Sequence, residues 1–179
     1  MSENRQFLID LSVDSAGGEA RFHEVRNWFR GNGWSLPDER WTGHPDKFPA
    51  DPFGPRSLEF GAEDYDGYTF IDCRNYYHAG EYTQGPFCPR CTRQYDFDLA
   101  LTILADWYNN GRTEPELSCP ECGWTALFGN WDIGACAAVA YFGIGFDPGR
   151  IDPDPLAKAL MEGLHADAGG RWAHISQRT

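Results

Sequence analysis

Two paired-cysteine turns, an alternating apolar segment near the start and an amphipathic stretch between the turns predict an α+β fold in a single domain. The turns are Cys88-Pro89-Arg90-Cys91 and Cys119-Pro120-Glu121-Cys122, with 27 residues between them. Each can set two sulfurs on one side of a tight bend. Two such bends complete the closed tetrahedron, at about 2.3 Å per bond, that structural zinc prefers. The expected ligands are therefore Cys88, Cys91, Cys119 and Cys122, forming one embedded four-cysteine zinc ribbon around a single structural Zn2+. A lone Cys-x-x-Cys would also suit a redox dithiol. Four protein sulfurs leave no open position for water or substrate, so such a site staples the fold and does no catalysis.

The 179 residues suit one compact unit, with an N-terminal α+β half at 1–87 and a cysteine-containing half at 88–179. Hydrophobic residues make up 41% and aromatics 15%, enough for a packed core. The formal charge of -12 is spread over both halves. It disfavours duplex nucleic acid and anionic membranes, which call for a basic face, and fits either plain solubility or a basic partner. No apolar run is long enough to span a bilayer, and Met1 to Gln6 lacks the pattern of a secretion signal, so a cytoplasmic location is expected. The remaining Cys73 and Cys136 read as small buried hydrophobes, not a disulfide pair.

In chain order, Phe7, Ile9, Leu11 and Val13 alternate as one apolar face of a strand. Phe22, Val25 and Phe29 then share a helical face that Gly31 and Gly33 terminate. Residues 35–56 hold five prolines and predict a long loop. Its Trp41, His44, Phe48 and Phe53 either form an adhesive surface or fold back into the core. Ser57–Phe60 and Tyr68–Cys73 read as a hairpin whose acidic turn contains Glu63, Asp64 and Asp66. These three acids join the four loop residues as candidate partner-binding groups. The turn is no calcium loop, because with Gly67 at the sixth place the first would be Ala62 and the twelfth Cys73.

Between the cysteine turns, Phe97, Leu101, Leu104 and Tyr108, with Ala100 and Trp107 beside them, predict an amphipathic helix from about Phe97 to Asn109, with Asn109-Asn110-Gly111 as its left-handed stop. Minimal zinc ribbons join their knuckles by a strand hairpin; here a helix does so. Thr125–Phe128 can run as a strand. In Gly134–Phe146 the alanine half suits helix or strand, while Gly143 and Gly145 favour a strand packed closely under a neighbour. Asp154 is expected to cap a helix with Leu156, Leu160, Met161 and Leu164 inward, and Arg171–Ile175 closes the chain as a strand.

The half from Cys88 to Ile175 resembles a group of uncharacterised bacterial zinc-ribbon proteins that often carry the name "sugar ABC transporter ATPase". The shared features are the Cys-Pro-x-Cys hook, a helix ending at Trp107-Tyr108, the Leu117–Gly123 hook, Trp131, a Gly-rich strand, a helix and a last strand. The chain departs from that pattern at Phe146-Asp147-Pro148-Gly149, where the group has Asn-Trp-Pro. The resemblance implies a fold and zinc ligands but no activity. ATPase chemistry would need a phosphate-cradling loop, and the chain has no Gly-x-x-x-x-Gly-Lys-Ser/Thr.

Other chemistry is sparse. His23-Glu24 begins like a zinc-protease helix, but Asn27 stands where the second histidine belongs. Cys73 with His78 is the best remaining nucleophile and base pair, or a spare metal pair. The leading expectation is a non-catalytic binding protein, for example an inhibitor or immunity-type protein for a basic partner. The alternatives are an enzyme with a site near the 35–56 loop or Cys73 and His78, and a zinc-ribbon nucleic-acid module, for which only Arg90 and Arg93 offer basic charge beside the first hook.

Overall fold

The structure is a computed structural model that describes residues 4–37, 48–63, 66–110 and 113–178. The elements run β1 (Asn4–Asp10), α1 (Gly18–Gly31), β2 (Ala50–Pro52), α2 (Pro55–Glu59), β3 (Gly67–Ile71), β4 (Asn75–His78), α3 (Phe97–Asn109), β5 (Glu116–Ser118), β6 (Thr125–Leu127), β7 (Ala137–Ala140), β8 (Gly143–Phe146), α4 (Asp154–Asp167) and β9 (Trp172–Arg178). The class is α+β: five strands form an antiparallel sheet in the order β2-β3-β8-β1-β9, and β4-β7 and β5-β6 form two small ribbons. Strands from both halves of the chain alternate in that sheet, so neither half closes it alone.

The sheet is covered on both faces. Leu8, Tyr68, Phe70, Ile144 and Phe146 point to one side, where α1 supplies Phe22, Val25 and Phe29 and α4 supplies Leu156, Leu160 and Leu164. Phe7, Ile9, Ile71, Ala173 and Ile175 point to the other, against β4, β7, α3 and the cysteine turns. The single apolar face expected for the first strand is thus corrected: Leu8 is as fully buried as Ile9, and the strand ends at Asp10. There the buried Asp10 carboxylate meets Arg21 at 2.7 Å and accepts from the backbone N–H groups of Ser12 and Arg171. Gly143 and Gly145 occur where β8 runs beneath bulky neighbours. A Cβ on Gly143 would lie 2.5 Å from the Tyr77 hydroxyl, and one on Gly145 would lie 3.2 Å from the Phe7 ring.

A second buried carboxylate ties α1 to the sheet. Arg26 and Arg30, one helical turn apart, both grip Asp51 of β2 with contacts down to 2.7 Å. Burial pushes the Asp51 carboxyl up, but the hydrogen bonds from Arg30 and Arg26 outweigh it and hold it below the usual range. β2 itself lies inside the expected loop 35–56; its proline, Pro52, sits on the edge strand, where a missing N–H costs nothing.

Several local expectations are corrected. Ser57–Glu59 belongs to α2 and not to a hairpin strand: Pro55 fixes the first turn, and Ser57 Oγ donates to the Trp34 carbonyl at 2.7 Å. Asn110 is not left-handed, at φ -121, and Gly111 lies outside the described residues. The first helical residue of α4 is Asp154 and its N-cap is Pro153, which makes no side-chain cap hydrogen bond; just before it, Asp152 Oδ1 accepts from the Asp154 N–H at 3.2 Å. Met161 is half-buried. The alanine half of 134–146 is strand β7, which leaves the main sheet to pair with β4, while β8 stays in it. Cys136 is buried as expected, but Cys73 is exposed.

α3 keeps its expected ends but turns a different face inward. Ala100, Leu104 and Trp107 are buried, whereas Phe97, Leu101 and Tyr108 face solvent. α3 lies against β7, whose four residues are all buried, and Leu104 and Trp107 join their cluster.

Candidate metal centre

Both cysteine turns are built the same way. In the first, Thr92 N–H donates to the Cys88 carbonyl and Cys88 N–H to the Arg93 carbonyl, each at 2.9 Å. In the second, Gly123 N–H donates to the Cys119 carbonyl at 3.0 Å and Cys119 N–H to the Trp124 carbonyl at 2.8 Å. The chain leaves each turn through a left-handed residue, Thr92 at φ 59 and Gly123 at φ 70. Thr92 is the one non-glycine residue with positive φ among those described. The second turn is the tip of the β5-β6 ribbon, and a Phe87–Gln94 bridge closes the first.

These two bends bring four sulfurs together. Cys88 Sγ lies 3.7 Å from Cys122 Sγ, Cys91 Sγ lies 3.5 Å from Cys119 Sγ, and all four fall within 4.8 Å of one another. A disulfide would need about 2.05 Å. A tetrahedron with bonds of about 2.3 Å has edges of about 3.8 Å. The four cysteines therefore lie close enough to hold a metal ion, and their donor set is compatible with zinc.

The surroundings favour a thiolate at Cys119 but not at Cys91 or Cys122. Backbone N–H groups of Cys122 and Glu121 point at the Cys119 sulfur and bring its pKa down to about 7. At Cys91 the Arg93 N–H acts in the same direction, yet burial and the three neighbouring sulfurs prevail and push it up to about 12. Four sulfurs this close cannot all shed protons unless a positive ion sits among them. Cys88 and Cys119 are buried, Cys91 is half-buried and Cys122 is exposed. Trp131 meets Tyr95 edge-on and Trp124 at a tilt beside them, with Arg90 over the Trp124 ring.

The other candidate residues are scattered. Phe53 is buried at 3% exposure and Phe48 packs half-buried against the core, so neither offers the free aromatic surface expected of the loop. Trp41, His44 and Asp64 lie outside the described residues. Glu63 and Asp66 are half-buried. Burial, with Asp147 and Glu63 adding to it, raises the Asp66 carboxyl even though its Oδ1 accepts from the Gly67 N–H at 2.7 Å. Cys73 is a poor nucleophile, because burial and then Asp72 push its thiol up, and His78 spends Nδ1 accepting the Gly80 N–H.

Sequence reasoning missed the exposed side of α3. Phe97, Leu99, Leu101 and Tyr108 are 40%, 57%, 37% and 43% exposed, half of the eight large hydrophobics exposed among the described residues. The signal was present as apolar residues on nearly every side of the helix, too many for one buried face. A groove of about 520 Å³ runs along its other edge, with Ile103, Trp107 and Pro115 as apolar walls and Asp106 and Glu114 at the polar side. No helix among the described residues is long and apolar enough to cross a membrane. No family model, no curated protein and no solved structure matches the chain.

Proposed function

We propose that Cys88, Cys91, Cys119 and Cys122 hold one structural Zn2+ as a zinc ribbon, and that the chain is a non-catalytic binding protein that engages a basic protein partner through α3. The observation that carries this reading is the exposed apolar set Phe97, Leu101 and Tyr108, which falls on one side of a helix that has Asp96, Asp98 and Asp106 about it and no lysine or arginine within it, with Leu99 exposed on the opposite side. Exposed apolar residues grouped on one face mark interaction sites. The charge selects the occupant. A second copy would bring another chain of formal charge -12 to an acidic face, whereas a basic segment is steered towards it. The groove beside α3 suits the aliphatic stem of a lysine or arginine, with Asp106 near its head.

An inhibitor or immunity-type protein that caps a basic toxin or enzyme is one form of this function. Free thiols and reduced hooks suit a reducing compartment such as the cytoplasm. The test is a comparison between wild-type protein and the Phe97→Ser/Leu101→Ser double variant, each with zinc retained, as baits in the native lysate at low and moderate salt. The expected result is a basic protein held by the wild type, weakened by salt and lost from the double variant. Retention of no protein, equal retention by both baits, or self-association of the wild type through this face would overturn the proposal.

A further inference from the structure

Away from α3 and the cysteines, a cavity of about 700 Å³ opens between β9, the first residue of β1, the 79–84 and 134–135 turns and the start of α4. Its volume lies within the range of small-molecule sites. Three features of the lining fix what it can bind.

The first is a buttressed histidine. Gln6, fully buried, donates from Nε2 to the Asn4 carbonyl and to Ser176 Oγ, each at 3.2 Å. Its Oε1 therefore faces His174 Nε2, at 2.7 Å, and that nitrogen must carry the proton. His174 Nδ1 is left as an acceptor. Ser176 Oγ, already accepting from Gln6, keeps its proton to donate. Burial lowers the His174 pKa, which keeps the ring neutral near pH 7. The second feature is a pair of opposite charges on the same cavity. Asp154 and Arg178 both line it, and neither forms an ion pair with any described residue. The third is Tyr82, whose side chain stands at the cavity 65% exposed and free to cover an apolar group.

We propose that this cavity binds a zwitterionic small molecule of the α-amino-acid class, its carboxylate on Arg178 and its ammonium on Asp154. Ser176 O–H gives the carboxylate a second donor, His174 Nδ1 gives the ammonium a second acceptor, and Tyr82 covers the ligand's side chain. A ligand of zero net charge also escapes the repulsion that a chain of formal charge -12 exerts on simple anions. The site is independent of the α3 surface and of the zinc proposal.

The experiment is calorimetric titration of the full chain, metal retained, with each of the common amino acids, then with the amine and the carboxylic acid that correspond to the best binder. At least one amino acid is expected to bind with Kd below about 1 mM, and loss of either charged group should weaken it about tenfold or more. In Arg178→Gln the carboxylate should cease to matter, and in Asp154→Asn the ammonium should cease to matter. Both positions are exposed, so the variants should fold, which circular dichroism checks. No heat from any amino acid at about 5 mM, or binding indifferent to both substitutions, would overturn the proposal.

Discussion

Replacing Thr92 by glycine should stabilise the protein, and placing threonine at Gly123 should destabilise it. The two residues hold the same place in two turns of identical hydrogen bonding, at φ 59 and φ 70. A left-handed conformation costs an L-residue roughly 1–2 kcal/mol, and a β-branched side chain sits at the upper end. Glycine at 92 removes that cost but gives up about 0.4–1 kcal/mol through the freer unfolded chain. It also loses the exposed Thr92 hydroxyl bond to the Cys91 carbonyl, 2.7 Å long and at the low end of about 0.5–1.5 kcal/mol. The balance for Thr92→Gly is a gain of about 0.5 kcal/mol. Nothing lies within 4 Å of a Cβ on Gly123, so Gly123→Thr carries the left-handed cost of about 1–2 kcal/mol less about 0.4–1 kcal/mol from a stiffer unfolded chain, a net loss of about 0.5–1 kcal/mol. Urea denaturation with zinc saturating both variants measures the two shifts. A loss on Thr92→Gly with metal content unchanged, or a neutral Gly123→Thr, would refute the reasoning, since either would mean that the turns are not held at these angles.

Three further outcomes follow from the same geometry. Protein purified without chelator should carry about one zinc per chain, and Cys88→Ser or Cys119→Ser should destabilise the whole fold; metal analysis well below one equivalent removes the zinc assignment. Gly143→Ala should cost about 1–3 kcal/mol, because the new Cβ meets the buried Tyr77 ring at 2.5–2.9 Å. Tyr77→Leu in the same chain should recover part of that loss, and a neutral Gly143→Ala would show that the β4-β7 ribbon gives way. Finally, stability should fall between pH 7.5 and 5.5 in a way that His174→Gln reduces. The folded imidazole has a lowered pKa, so the unfolded chain takes up its proton first as pH drops through about 6.5. Metal loss adds a slope common to both proteins, so equal slopes would sink the His174 account. The Asp51 contribution acts lower: it is complete above about pH 3.9 and is lost as pH falls through the folded value beneath that.

Local chemistry was legible in the sequence where local chemistry decides. The extent of α3 was readable from its apolar spacing, though not from the Asp96 cap, whose side chain accepts from the Leu99 N–H at 2.9 Å, and the proximity of the four cysteines was readable from their spacing. The inward face of α3 was not, because its apolar residues surround the helix and the choice rests on packing against β7, distant in the chain. Ser57–Phe60 reads as a strand by composition; Pro55 and the hydrogen bond to Trp34, 23 residues earlier in the chain, make it helical. The 700 Å³ cavity was hidden for the same reason. Gln6 and His174 are 168 positions apart, and only the β1-β9 register brings them together.

Under the proposed function, the place of the cysteines gives a physical reason for a staple and a binding face to share one segment. α3 has 13 residues, and an isolated helix of that length is marginal in water. It buries only Ala100, Leu104 and Trp107, and gives up apolar burial wherever Phe97, Leu99, Leu101 and Tyr108 remain exposed. A helix that leaves such residues exposed must be held by something else. Joining the two hooks across the 27 residues between them would remove chain entropy worth about 3.5 kcal/mol from the unfolded state, comparable with burying two large apolar side chains. The ion would thus offset the stability that the exposed side of α3 forgoes. It would also hold that side in one orientation before a partner arrives, which lowers the ordering cost of association.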